Sequence, residues 1–146
     1  MQPDPFAPVA STSDALVRGV GEWRAVMPVP PDAPPAPAGH RGLGKPSATW
    51  TYRDANGAAL GYIARFEEKD GGKAFRPLVL FRHALSGALA WRWEGWPVPR
   101  TLYGLDRLAE RPGAPVIVTE GEKDADAAGR LFPAHVAVTS PNRSEE

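Results

Sequence analysis

The stretch Val116-Ile-Val-Thr-Glu-Gly-Glu-Lys-Asp-Ala-Asp-Ala-Ala128 decides the reading of this chain. Val116 to Thr119 is a short β-favouring run of the kind a fully buried parallel strand requires, and Pro115 stands where a strand can begin. Glu120 then falls at the carboxyl end of the strand, and Gly121 permits the tight turn. From Lys123 to Leu131 the spacing of Ala125, Ala128 and Leu131 predicts a helix with an apolar stripe. Asp124 and Asp126 lie in its first turn, where negative charge complements the helix dipole. Residues 132–139 read as the helix end and the next short strand, and residues 140–146 are polar. In open α/β sheets the carboxyl edge of the strands is where ligands bind, so a carboxylate placed there can work on metal or phosphate.

Outward from this unit, composition sets limits. The chain has 146 residues, room for about one domain or for a small domain with part of a second. Its 17 prolines and 15 glycines fall unevenly, which points to turn-rich or disordered stretches beside folded ones. Seventeen basic residues balance 17 acidic ones, so a polyanion site must come from local clustering. The absence of cysteine excludes disulfides, thiolate metal sites and cysteine nucleophiles. No apolar run approaches the roughly 20 residues that span a bilayer, and the first residues lack the pattern of a secretory signal, so a cytoplasmic protein without membrane contact is expected.

Three segments emerge. Residues 1–47 read as an N-terminal arm: a possible amphipathic helix over Ser13 to Met27, then Pro28 to Pro37 with six prolines in ten residues, a disordered polyproline-type linker. Residues 48–100 change to a period of two. Trp50 and Tyr52 alternate with polar neighbours, Asn56-Gly57 predicts a hairpin, and Leu60, Tyr62, Ala64 and Phe66 share a face of the returning strand. Phe75 to His83 and Leu89 to Trp93 complete an antiparallel sheet of about four strands, ended by Pro97 and Pro99. Residues 101–146 hold a connecting helix over Thr101 to Glu110, with Leu105 and Leu108 inward, and then the βαβ portion. The fold class is therefore α+β: a small antiparallel β subdomain followed by the first βαβ portion of an α/β sheet.

The strand ending in Glu120-Gly121, continued to Asp124 as Glu-Gly-x-x-Asp, resembles the opening motif of the TOPRIM domain, the metal-dependent module of bacterial-type primases, topoisomerases and related nucleases. Leu102-Tyr-Gly-Leu105 is similar to the phrase that opens the connecting helix after the β-rich subdomain of bacterial-type primases. The two motifs occur in the family's order, and the likeness to phage- or plasmid-type primases covers roughly residues 48–139. It implies a TOPRIM-like α/β sheet and magnesium-dependent nucleotidyl transfer. It further implies Glu120 as catalytic acid/base, Glu120 and Asp124 as ligands of a weakly held Mg2+, and Gly121 as the turn. Single-stranded DNA or RNA, nucleotides and a replicative helicase are the partners it implies. The chain departs from the pattern in having no zinc-ribbon cysteines, no clear nucleotide-contacting lysine motif in the β part and no Asp-x-Asp after the next strand. On this resemblance it is truncated within the TOPRIM domain and catalytically incomplete.

Basic residues supply the second set of candidates. Arg65, Lys73, Arg76, Arg82, Arg92, Arg100 and Lys123, interleaved with Trp91, Trp93 and Trp96, have the chemistry to hold a single strand: cations for phosphates and aromatic faces for bases. In Trp91-Arg-Trp93 the alternation puts both tryptophans on one face, as core, and leaves Arg92 exposed. Glu122 and Asp124 have a simpler explanation in the helix dipole, and Lys123 in solvation. Three functions stay open: a primase-like enzyme fragment, a non-catalytic module for single-stranded nucleic acid or nucleotides, and an inactive truncated product.

Overall fold

A computed structural model of the protein describes residues 22–97 and 100–141. Five strands build the main sheet: β1 (Trp23–Ala25), β2 (Ala48–Arg53), β3 (Ala59–Glu67), β4 (Lys73–His83) and β5 (Leu89–Arg92). All pairings are antiparallel, and β4 is the hub: its first half pairs with β3, while Phe81 and Arg82 pair with both β1 and β5. Helix α1 (Leu105–Glu110) follows, then β6 (Val116–Val118), helix α2 (Glu122–Leu131) and β7 (Val136–Val138), with β6 and β7 parallel. The protein is thus α+β, an antiparallel sheet beside a small parallel βαβ unit, as the patterning predicts.

The hairpins form where the turn chemistry sits. The Asp54 carboxylate accepts the backbone N–H groups of Asn56 and Ala58, both at 2.9 Å, an Asx turn that closes β2 on β3. Between β3 and β4 the backbone of Glu68 pairs with Gly72, and Asp70 accepts from the Gly72 N–H at 2.8 Å.

Both faces of the sheet are covered. Trp50, Ile63 and Pro77 are cross-strand partners, as are Tyr52 and Gly61, and this face packs with Val79 and Phe81 against Trp96, Tyr103, Ala125 of α2 and Ala137 of β7. The opposite face carries Ala64, Phe66 and Ala74, packed by Leu43 and Trp93. The ring of His40 lies 5.7 Å from that of Phe66 and 5.3 Å from that of Trp93.

Residues 22–47 differ from the expected free arm. Of the helix proposed over Ser13 to Met27, the first part lies outside the described residues, and Trp23–Ala25 is instead an edge strand on β4. Glycines and β-favouring Val and Trp weaken helix there, and β4 offers unpaired backbone groups. The proline-rich stretch is held to the sheet: Val29 N–H donates to the Ala59 carbonyl at 2.8 Å, and Trp91 Nε1–H to the Pro34 carbonyl at 2.7 Å. The proline-rich segment, which has few N–H groups of its own, is fixed here by one bond in each direction, Val29 donating to the sheet and Trp91 donating back.

Three further expectations are corrected. The helix after the sheet begins at Leu105, because Tyr103 forms an antiparallel bridge with Thr139 and Gly104 turns at φ 100°. A Cβ on Gly104 would lie 2.8 Å from the Ala137 carbonyl oxygen, so the close approach to β7 requires glycine. Strand β6 is not fully buried: Val116 is 48% and Val118 78% exposed, since β7 is its one strand neighbour. Leu131 is likewise exposed, and the inner face of α2 carries Glu122 and Ala125 rather than the stripe ending in Leu131.

Gly61 supplies a test of the packing between sheet and Trp96. A Cβ there would lie 2.8 Å from the Trp96 ring and 3.0 Å from the Leu78 carbonyl oxygen. Gly61→Ala is expected to lower stability in denaturant unfolding by about 1–3 kcal/mol, the usual cost of overpacking.

Candidate functional site

The turn between β6 and α2 is fixed by a hydroxyl network. Thr119 N–H donates to the Val138 carbonyl at 2.9 Å, its Oγ1–H is 2.9 Å from the Gly121 carbonyl, and Thr139 Oγ1–H donates to the Thr119 carbonyl at 2.7 Å. Gly121 is the extended N-cap of α2 and offers no side-chain cap to the first-turn N–H groups. Glu120 projects from this turn as an exposed side chain beyond the carboxyl end of β6.

Helix α2 is held on the sheet by its own carboxylates. Glu122 is 1% exposed and accepts the Tyr52 hydroxyl proton at 2.6 Å. One turn further, Asp126 accepts from the Tyr103 hydroxyl at 2.6 Å through Oδ1 and from the Trp50 indole N–H at 3.1 Å through Oδ2. Hydrogen bonds to a charged acceptor contribute about 1.5–3 kcal/mol each, and leaving such a buried acceptor without its donor costs at least as much. At the level of sequence the helix dipole accounts for Glu122, and Asp126 is placed in the same first turn. The signal for their docking role was present: carboxylates at i and i+4 share a face with small Ala125, opposite a sheet face rich in Tyr and Trp donors.

This docking assembles a cleft of about 360 Å3 at the amino end of α2. Glu120, Gly121, Lys123 and Asp124 line one side, and Trp50, Arg65, Lys73 and Phe75 of the sheet line the other. Residues singled out separately in the β region and the βα turn therefore meet. Arg65 is 3.2 Å from Glu67, and its Nε is buried without a partner. A second cleft of about 660 Å3 shares Lys73 and Phe75 with the first and adds Arg76, Arg100, Trp93 and Trp96.

Arg82 and Arg92 line neither cleft. The Arg82 guanidinium donates to the Gly87 carbonyl at 3.1 Å. Arg92, expected to be exposed, is half-buried: it pairs with Glu94 and lies over the rings of Trp23 and Phe81 at 5.2 and 5.9 Å. Both make contacts within the β4–β5 region, and Arg82 remains exposed. His40 is structural, its Nδ1 accepting the N–H groups of Gly42 and Leu43.

Magnesium takes six oxygen ligands in near-octahedral geometry. Among the described residues no three His, Cys, Asp or Glu side chains gather to hold a metal ion, and Glu120 and Asp124 share their cleft with three cationic side chains. Accordingly no chemical step is assigned to a metal here. No helix among the described residues is long and apolar enough to cross a membrane. Comparison of the chain with family models, curated proteins and solved structures finds no match.

Burial pushes the Tyr103 hydroxyl up to about 12 from 10.0, reinforced by its hydrogen bond to Asp126 and that carboxylate's charge, and opposed by Arg107. The folded state therefore keeps the proton that the unfolded chain loses first. This contribution to stability is complete below pH 10 and is lost as pH rises toward 12. Tyr103→Phe is expected to flatten the fall in unfolding free energy across that window, measured by denaturant titration at several pH values. A fall of unchanged steepness would show that Tyr103 is not its source.

Proposed function

We propose that this protein binds single-stranded nucleic acid, as a primase-like relative of TOPRIM proteins in which strand holding, rather than nucleotidyl transfer, is the function of the described residues. The observation that carries this is the convergence of Arg65, Lys73 and Lys123 with Phe75 and Trp50 in one cleft at the βα turn. Cations around aromatic edges hold a flexible strand through its phosphates while bases stack. The adjoining cleft continues the same chemistry with Arg76, Arg100 and two tryptophans, so that successive nucleotides run along β4 across the shared Lys73 and Phe75.

Glu120 and Asp124 have a different task in this reading. Carboxylates beside phosphate-binding cations accept hydrogen bonds from base amino groups or sugar hydroxyls, and they repel a phosphate placed on the wrong side. They bias register rather than add affinity. The order of the motifs Leu102-Tyr-Gly-Leu105 and Glu120-Gly121 supports the primase-like resemblance, and among the described residues no third carboxylate gathers with Glu120 and Asp124, which is the reason for stopping at binding.

Fluorescence anisotropy of a labelled single-stranded oligonucleotide tests the proposal. Saturable binding is expected to weaken with salt, and Lys73→Gln and Lys123→Gln each to lower the slope of log affinity against log salt by about 0.7, the share of one single-strand phosphate contact. Absence of binding, or slopes unchanged by both substitutions, would reject it.

A further inference from the structure

A third cleft, of about 370 Å3, opens at the other end of the βαβ unit, between α1, α2 and the start of β7. Arg107, Arg111 and Arg130 line it, against the carboxylates Glu110 and Asp126. Asp126 is already engaged by Tyr103 and Trp50, while the Arg130 guanidinium makes no hydrogen bond or ion pair among the described residues. His135 lies on the same wall with a buried Nδ1 that has no partner, and Arg111 reaches its carbonyl at 3.4 Å. Arg107 also lies over the Tyr103 ring at 5.1 Å, and the three arginines outnumber the two carboxylates, so the cleft is left net positive and suited to an anion.

Helix-terminal arginines also complement the helix dipole and need no ligand for that. Gly129 has no such explanation. It stands inside α2, where glycine is the poorest helix former after proline, and a Cβ added there would meet nothing within 4 Å. No protein atom requires a glycine, yet Gly129 lines this cleft. Its missing side chain leaves room for something that is not protein.

The geometry points to a binding site for a small phosphate-class anion, pyrophosphate or the polyphosphate end of a nucleotide, held by Arg107, Arg111 and Arg130 over the bare backbone of Gly129. Arginine forks match phosphate oxygens in bidentate geometry, and the cleft is large enough for a chain of two or three phosphates. The site is separate from the oligonucleotide clefts and does not rest on the nucleic-acid proposal.

Calorimetric titration of the full chain with pyrophosphate, and in a second arm with adenosine triphosphate, at fixed ionic strength tests it. One-to-one binding is expected in at least one arm. Arg111→Gln and Arg130→Gln are each expected to weaken it about tenfold, as loss of a charged hydrogen bond does. Gly129→Ala is expected to act with opposite signs, raising the melting midpoint of the ligand-free protein by about 3–6 °C while lowering affinity. No binding in either arm overturns the assignment, as does affinity insensitive to the arginine variants or insensitive to Gly129→Ala.

Discussion

The hydrogen bonds that Tyr52 and Trp50 of β2 give to Glu122 and Asp126 fix how the βαβ unit sits on the antiparallel sheet. Helix α2 brings little apolar surface to that contact: its fully buried residues are Ala125 and Glu122 itself. Alanine burial contributes little by area, so the helix depends on its carboxylates being satisfied. A buried carboxylate is costly alone and stable only among donors, which makes the contact specific in register: a rotation of α2 by one residue would take Glu122 away from the Tyr52 hydroxyl. The same contact sets the distance from Glu120 and Lys123 to Lys73 and Arg65, and hence the shape of the cleft they share.

The sheet reaches this arrangement by using both faces. One receives the βαβ unit and Trp96; the other receives the segment around Leu43 and the ring of Trp93. A sheet of mostly short strands covered on both sides is stiffer than one open to water, and β4 as its hub presents Lys73, Phe75 and Arg76 from a strand paired along its length. Binding residues carried by a paired strand and by a helix amino end are held more firmly than residues on loops.

What could be read from the sequence was local. Asn56-Gly57 and Asp70-Gly-Gly-Lys73 mark hairpins because turn chemistry acts over four or five residues, and Glu120 falls at a strand end because the apolar run stops there. What could not be read was tertiary. Trp23–Ala25 became a strand because β4 had a free edge, and the proline-rich stretch was held by an indole from 57 residues away. Glu122 and Asp126 turned inward because donors 70 and 76 residues earlier wait on the sheet. Of the basic candidates, Arg65, Lys73, Arg76, Arg100 and Lys123 gather in the clefts while Arg82 and Arg92 serve the β4–β5 region, a division set by strand pairing that composition does not carry.

The proposed function has docking of α2 make one binding surface from two distant parts of the chain. Amide chemical-shift mapping during titration with a single-stranded oligonucleotide tests it most directly. Lys73 to Arg76 on β4 and Gly121 to Asp124 at the start of α2 are expected to shift together, with the same midpoint. Shifts confined to one of the two segments, or gathered around Arg82 and Arg92, would contradict it.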